Sequence, residues 1–281
     1  MPSRRAVVMA VLAVVSSALG QRHELWPKGA PGALGDALKD RPYVTVHAPK
    51  GAAAPRAAVV VCPGGGYKHL SAIGDYLGLL TANGLVVVHL RYRLPTDGYG
   101  HPAPLRDALR AIRMTRANAR AWNVDPGRVG VLGFSSGGHV ASTAATHHDA
   151  QPPRSHRDVI SRVSGRPDFV ALFCPVITMG KHAHKPSVVR LLGKAPSSEL
   201  LAELSNELQV TKDTPPTFLA HAKDDRLVTP ENSTLFHDAL RKSGVSAELH
   251  VYPSGGHGFT RASDAWKKDL LAWLRVRKIT S

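Results

Sequence analysis

Gly133-Phe134-Ser135-Ser136-Gly137 sets a hydroxyl between glycines, directly after the apolar run at residues 128–134 and before a small-residue stretch that reads as a helix to about Thr146. A serine hydroxyl is a weak nucleophile until a neighbouring base takes its proton. A Gly-x-Ser-x-Gly bend between strand and helix exposes such a hydroxyl, and its neighbours must be small because the turn is strained and tightly packed. The following helix aims its positive end at the bend, which favours a developing anion. The chemistry then requires an imidazole, an acid to orient it, and backbone amides for an oxyanion. His257 lies among glycines after a strand-like run, and Asp224 and Asp225 follow another. Both acids remain candidates at this point. Pro63-Gly64-Gly65-Gly66-Tyr67 follows an early apolar run and allows backbone to approach a ligand closely. A phosphate cradle is the competing use of those glycines, but no Walker lysine follows and the Rossmann spacing is not met.

These residues need strands that end at one edge of one sheet. Residues 57–63, 85–92, 128–134, 167–177, 215–222 and 247–253 read as strands, and residues 42–49 as an earlier, more superficial one. Residues 67–83, 104–122, 136–146, 231–242 and 262–276 carry helical spacing between or after them. Strands separated by helices demand a mostly parallel sheet covered on both faces. The expected architecture is one doubly wound α/β domain over residues 21–281. Residues 25–40 read as irregular, and residues 178–214 are the one long insertion, polar, with a helix expected at 197–208 and little bulk for a cap.

Composition narrows the classes. With 281 residues and 43% hydrophobic content, the chain can bury a full core. The formal net charge is +15, yet basic residues are scattered and no nucleic-acid motif accompanies them. Arg4 and Arg5 precede a ten-residue apolar run and then Ser16-Ser17-Ala18-Leu19-Gly20, a pattern that predicts a Sec-type signal peptide over residues 1–20 and a secreted or periplasmic product. Ten apolar residues are too few to cross a bilayer, which needs about 20. Cys62 and Cys174 end apolar strands with a third strand expected between them, beyond the roughly 7 Å limit for a disulfide, so both read as buried thiols. His147-His148 and His182-Ala183-His184 lack the carboxylate or cysteine spacing of a metal site, so no metal or cofactor is expected. His139 reads as a packed core histidine, Asp107 as a group that fixes local helix geometry, and Tyr67 as a residue lining the substrate pocket.

VVVCPGGGY (59–67), LRYRL (90–94), HPAPLRDALRAIR (101–113), VDPGRVGVLGFSSGGHVAST (124–143), PPTFLAHAKDDRLVTPENS (215–233) and GGHGF (255–259) together resemble the α/β-hydrolase superfamily. The resemblance is to its secreted carbohydrate-esterase-like branch of acetyl xylan and feruloyl-type esterases, and it covers nearly all of the chain after the leader. It implies an α/β-hydrolase fold with a minimal cap and hydrolysis of short-chain esters on carbohydrate through an acyl-enzyme, without a cofactor. The family's acid lies four residues beyond a strand-ending His and three before a Val, which here selects Asp225. The implied triad is Ser135, His257 and Asp225, with the amides of Gly65, Gly66 and Ser136 as the oxyanion hole. Two positions depart from the family: Ala222 stands where Gly is usual, and Ser136 where Ala is frequent. A prolyl-oligopeptidase-type peptidase and an inactive binding relative are the alternatives. The first lacks its β-propeller here; the second has no reason to keep all three polar residues. A lipase is disfavoured because no large apolar lid is evident.

Overall fold

Strand β3 (Arg56–Cys62) turns Ala58, Val60 and Cys62 to one face and Ala57, Val59 and Val61 to the other, and all six are buried. A β-branched run can satisfy both environments only at the centre of a sheet covered on both sides. The computed structural model describes residue 20 and residues 22–49, 51 and 54–280. The leader expected over residues 1–20 lies outside the described residues apart from Gly20.

The other strands are β1 (Arg22–Glu24), β2 (Tyr43–His47), β4 (Val86–Arg91), β5 (Val124–Phe134), β6 (Val170–Phe173), β7 (Thr217–Ala222) and β8 (Ala247–Tyr252). They form one eight-stranded sheet in the order β1-β2-β4-β3-β5-β6-β7-β8. β1 and β2 pair antiparallel, as do β2 and β4, and every other neighbour is parallel. The doubly wound, mostly parallel sheet is therefore as expected, with β1 added at the edge from residues 22–24, for which no element was expected. β5 lies between β3 and β6, and Cys62 and Cys174 are both free and buried.

Helices α1 (Gly74–Ala82), α2 (Ala103–Ala117), α3 (Ser135–Thr146), α4 (Lys185–Leu192), α5 (Ser198–Glu203), α6 (Glu231–Lys242), α7 (Phe259–Ala262) and α8 (Ala265–Val276) complete the described chain. Leu105, Ile112, Val140 and Phe236, from α2, α3 and α6, pack with one face of the sheet. Leu80, Trp266, Leu270 and Trp273, from α1 and α8, pack with the other. Several bounds differ from expectation: α2 ends at Ala117 rather than 122, β5 starts at Val124 rather than 128, and β6 covers only Val170–Phe173 of the expected 167–177. α1 starts at Gly74 rather than Tyr67, because Gly66 and Tyr67 take left-handed backbone, φ 60° and 61°, that no right-handed helix can include. The insertion carries α4, unforeseen, and its later helix breaks after Glu203 into a 3₁₀ turn at Asn206–Leu208. Among the described residues no helix is long and apolar enough to cross a membrane.

β3 leads to β4 on one side of the sheet, whereas β5 and its successors build outward on the other. The order of winding thus reverses between β3 and β5, and their carboxyl ends flank the crevice where ligands of open α/β sheets bind.

Asp107 does more than fix its own helix. It accepts from Arg93 Nε at 2.9 Å, Arg93 Nη2 at 2.8 Å, the Arg93 amide at 3.0 Å and Trp26 Nε1 at 3.2 Å. Arg93 Nη1 also donates to Pro31 O at 2.8 Å. Both charged side chains are 0% exposed, so helix α2, the end of β4 and the N-terminal segment meet at one buried ion pair. Removing one partner strands the other charge. Asp107→Leu is expected to destabilise the fold by about 3–5 kcal/mol, whereas Arg93→Met with Asp107→Leu recovers much of that loss. Urea unfolding midpoints of the two variants and the parent check this order.

Candidate active site

Ser135 is the first residue of α3 and sits at φ 52°, a left-handed conformation rare for a residue with a side chain. The bend is possible because α3 packs directly on the end of β3: a Cβ on Gly137 would lie 2.2 Å from Cys62 O and 2.3 Å from Pro63 O. The Ser135 carbonyl is tied by the Val176 amide at 2.9 Å. Ser135 Oγ lies 2.9 Å from His257 Nε2, and His257 Nδ1 lies 2.7 Å from Asp225 Oδ2. The three residues come from the ends of β5, β7 and β8 and meet at one edge of the sheet.

Asp225 is 3% exposed and its other oxygen accepts from the amides of Leu227 at 2.9 Å and Val228 at 3.0 Å. His221 Nε2 approaches Asp225 Oδ2 at 3.3 Å and donates to Val228 O at 2.8 Å, which leaves its Nδ1 to accept from Ser233 Oγ. Burial opposes the carboxylate charge, but hydrogen bonds from His221, His257 and the Val228 amide outweigh it and hold Asp225 well below the usual carboxylate range. His257 moves the other way. Burial opposes the imidazolium, yet the Asp225 hydrogen bond, helped by Cys174, overrides it and pushes His257 up to about 10.

Asp224 has a separate task. Its carboxylate accepts from the amides of Gly256 at 2.8 Å and Gly255 at 3.3 Å, so it ties down the turn that carries His257. The two adjacent acids thus hold the ring and the backbone of one residue. What the sequence did not reveal is that Asp224 reaches the His257 turn and that His221 contacts Asp225. The acidic doublet after β7 was the visible sign of the first, and the strand-ending position of His221, four residues before Asp225, was the sign of the second.

The glycine loop follows β3 and lies against the Ser135 bend, where a Cβ on Gly64 would come within 3.3 Å of Ser135 Cβ. Gly65 and Gly66 have φ of 123° and 60°. Among the described residues, no backbone carbonyl accepts from the Gly65, Gly66 or Ser136 amides. Tyr67, expected in the substrate pocket, is a correction. Its ring is 1% exposed and its hydroxyl meets His139 Nδ1 at 2.7 Å, so it packs beneath the loop. His139 is indeed a core residue, donating from Nε2 to Leu204 O at 2.9 Å; burial lowers it to about 4, and the neutral ring accepts from Tyr67. The Ser136 hydroxyl, where the family often has Ala, accepts from the Tyr67 amide at 3.3 Å.

A cleft of about 560 Å³ opens over Ser135 and His257, walled by Tyr76, Phe134, Leu227 and Arg190. A second cavity of about 840 Å³ lies at the other end of the strands, between Arg56 and Gly84, and contains none of these groups. Cys174, Asp225 and His257 offer ligand atoms within 4.8 Å of one another. The 2.7 Å bond between Nδ1 and Oδ2 occupies the space an ion would need. His184 Nδ1 is engaged by Ser187 Oγ at 2.8 Å, and the His182 carbonyl by Asn232.

Comparison with known proteins adds the relationships. The sequence model of the BD-FAE family matches residues 44–240. An endo-1,4-beta-xylanase B of Butyrivibrio fibrisolvens is 38% identical over 213 residues, covering 74% of this chain and 33% of that protein. An acetylxylan esterase of Xylanibacter ruminicola is 34% identical over 231 residues, covering 78% of this chain and 45% of that protein. The chain therefore spans less than half the length of either curated relative. The crystal structure of an acetyl ester-xyloside bifunctional hydrolase from Caldicellulosiruptor lactoaceticus superposes with a TM-score of 0.85 at 38% identity, covering 94% of this chain and 98% of that one. The chain belongs to the BD-FAE family, and its architecture is that of the α/β-hydrolase carbohydrate esterases.

Proposed function

We propose that the protein is a secreted serine carboxylesterase that removes short, acetyl-type acyl groups from carbohydrate, xylan foremost, using Ser135, His257 and Asp225. The observation that carries this reading is the unbroken hydrogen-bonded chain from Ser135 Oγ through His257 to Asp225 Oδ2, with links of 2.9 and 2.7 Å. The names of the relatives support the acetyl and xylan parts, and the basic, apolar and small-residue pattern of residues 4–20 supports export.

Ser135 Oγ attacks the ester carbonyl as its proton passes to His257 Nε2. The carbonyl oxygen becomes negative facing the Gly65, Gly66 and Ser136 amides, at the positive end of α3. His257 then returns the proton to the leaving sugar hydroxyl, and an acyl-Ser135 ester remains. Water attacks that ester, His257 takes the water's proton and passes it to Ser135 Oγ as the Oγ–acyl bond breaks, and the acid leaves with Ser135 and His257 restored. Asp225 keeps the ring in the tautomer whose Nε2 faces Ser135 and offsets its positive charge. No cofactor enters these steps.

Ser135→Ala is expected to lower kcat for p-nitrophenyl acetate by about 10⁴-fold or more with unfolding unchanged, and to abolish labelling by a fluorophosphonate probe. A parent protein that takes up no label would support a binding-only role.

Across p-nitrophenyl esters of rising acyl length, kcat/KM should fall steeply beyond butyrate, and acetylated xylan should release acetate faster than methyl ferulate releases ferulate. A preference for decanoate or longer would contradict the acetyl reading.

The base must be neutral to act, and the Asp225 contact raises its pKa above the ordinary 6.5, so kcat/KM is gained as pH rises through the raised value and lost below it. Asp225→Asn removes the largest upward contribution and leaves burial opposed only by Cys174, so the acid limb should shift to lower pH while kcat falls by about 10³- to 10⁴-fold. Asp224→Asn keeps an acceptor for the loop amides and should lose less than about tenfold. Rate profiles from pH 5 to pH 10 on the three proteins separate the two acids.

A further inference from the structure

The insertion at residues 178–214 is too small to enclose the cleft, yet it touches the glycine loop at a specific place. Arg190, on α4, donates from Nη1 to Gly66 O at 2.8 Å. The amide of the same peptide unit, Tyr67 N, donates to Ser136 Oγ at 3.3 Å. A peptide is planar, so bonds at its carbonyl and its amide fix the orientation of the whole unit. Here they fix ψ of Gly66 and φ of Tyr67, the latter in left-handed backbone that a free loop would leave. The preceding unit is held in turn, because Gly65 O accepts from the Lys68 amide at 3.0 Å. That bond sets the plane in which the Gly66 amide, the proposed oxyanion donor, points.

α4 is anchored for this task. Leu191 is 4% exposed within the core, and its carbonyl accepts from the His101 amide at 3.0 Å. Arg190 has no acidic partner among the described residues, and its one hydrogen bond is to the loop carbonyl. The neighbouring His184 is held below its usual range by burial and by the nearby charges of His257 and Arg190, which leaves the guanidinium as the fixed charge of that wall. The insertion also reaches the loop from below, since Leu204 O holds His139, which holds the Tyr67 hydroxyl.

We propose that Arg190 is a positioning residue: delivered by the inserted helix α4, its guanidinium holds the Gly66 carbonyl so that the loop amides stay aimed at the oxygen that turns negative during acyl transfer. The proposal rests on the esterase reading above. It makes the insertion a brace for the oxyanion loop rather than a lid.

The experiment compares Arg190→Met and Arg190→Lys with the parent, using p-nitrophenyl acetate kinetics, affinity for an alkylboronic acid that forms a tetrahedral adduct on serine, and thermal unfolding. Arg190→Met should lower kcat by about 10- to 100-fold with KM within about threefold, and weaken the boronate by a similar factor. Arg190→Lys, which keeps a cationic donor, should recover at least half of that loss on a logarithmic scale. An unchanged kcat in Arg190→Met overturns the proposal. A rise in KM alone, with kcat and boronate affinity kept, overturns it in favour of direct substrate contact. A fall in Tm that tracks the loss in both variants overturns it in favour of a merely structural brace. Fluorophosphonate labelling of the parent runs alongside: failure to label Ser135 removes the esterase reading itself, whereas labelling with an unaffected Arg190→Met removes only this inference.

Discussion

The hydrogen bond between His257 Nδ1 and Asp225 Oδ2, at 2.7 Å, governs the geometry of everything around it. A ring with one nitrogen committed to a buried carboxylate has one tautomer and one direction for the other nitrogen. That direction leads to Ser135 Oγ. The carboxylate can serve because it is itself over-determined, with two amides on one oxygen and two histidines near the other. An ionised group this deep in protein survives only when its lone pairs are met. The short segment Asp225–Val228 supplies that by folding back on its own carboxylate.

The second constraint is steric. β3 and β5 end side by side where the winding reverses, and both must release their chains into sharp bends at the same spot. α3 can leave that spot only if Gly137 lies flat on the carbonyls of Cys62 and Pro63. Ser135, Gly66 and Tyr67 then all adopt left-handed backbone within a few residues of the crevice. Strain of this kind persists where surrounding bonds leave no relaxed alternative. Tyr67 is the clearest case, since its amide, ring and hydroxyl are all engaged although its side chain does not line the cleft.

Much of this was legible beforehand, for identifiable reasons. Apolar runs separated by helical spacing define a parallel sheet, and the Ser135 bend, the Asp224-Asp225 doublet and the His257 turn each directly follow such a run. Position at a strand end is a local property, so local patterns reveal it. Arg190 was not legible, because its neighbour in space, Gly66, is 124 residues away and the helix that carries it is only eight residues long. Tyr67 misled for the opposite reason. Proximity to the glycine loop in sequence suggested the cleft, but a left-handed φ turns the side chain under the loop instead. Asp107 belongs with these: its helix was evident, while its partners Arg93 and Trp26 come from separate parts of the fold.

The division of labour between Asp224 and Asp225 follows from where β7 stops. Ala222 is the last residue of the strand, so the next residues turn away from the sheet plane and successive side chains diverge. Asp225 points inward to the ring, where removal of its charge leaves an imidazole free to rotate. Asp224 points outward to amides of Gly255 and Gly256, whose φ of 122° and 55° give the His257 turn little stiffness of its own. A flexible glycine turn lets His257 reach Ser135 from the far side of the intervening strands, and the exposed carboxylate of Asp224 limits how far it can wander. Orientation of the base thus depends on two bonds of different kinds, a buried one that sets the ring and a solvent-facing one that sets its backbone.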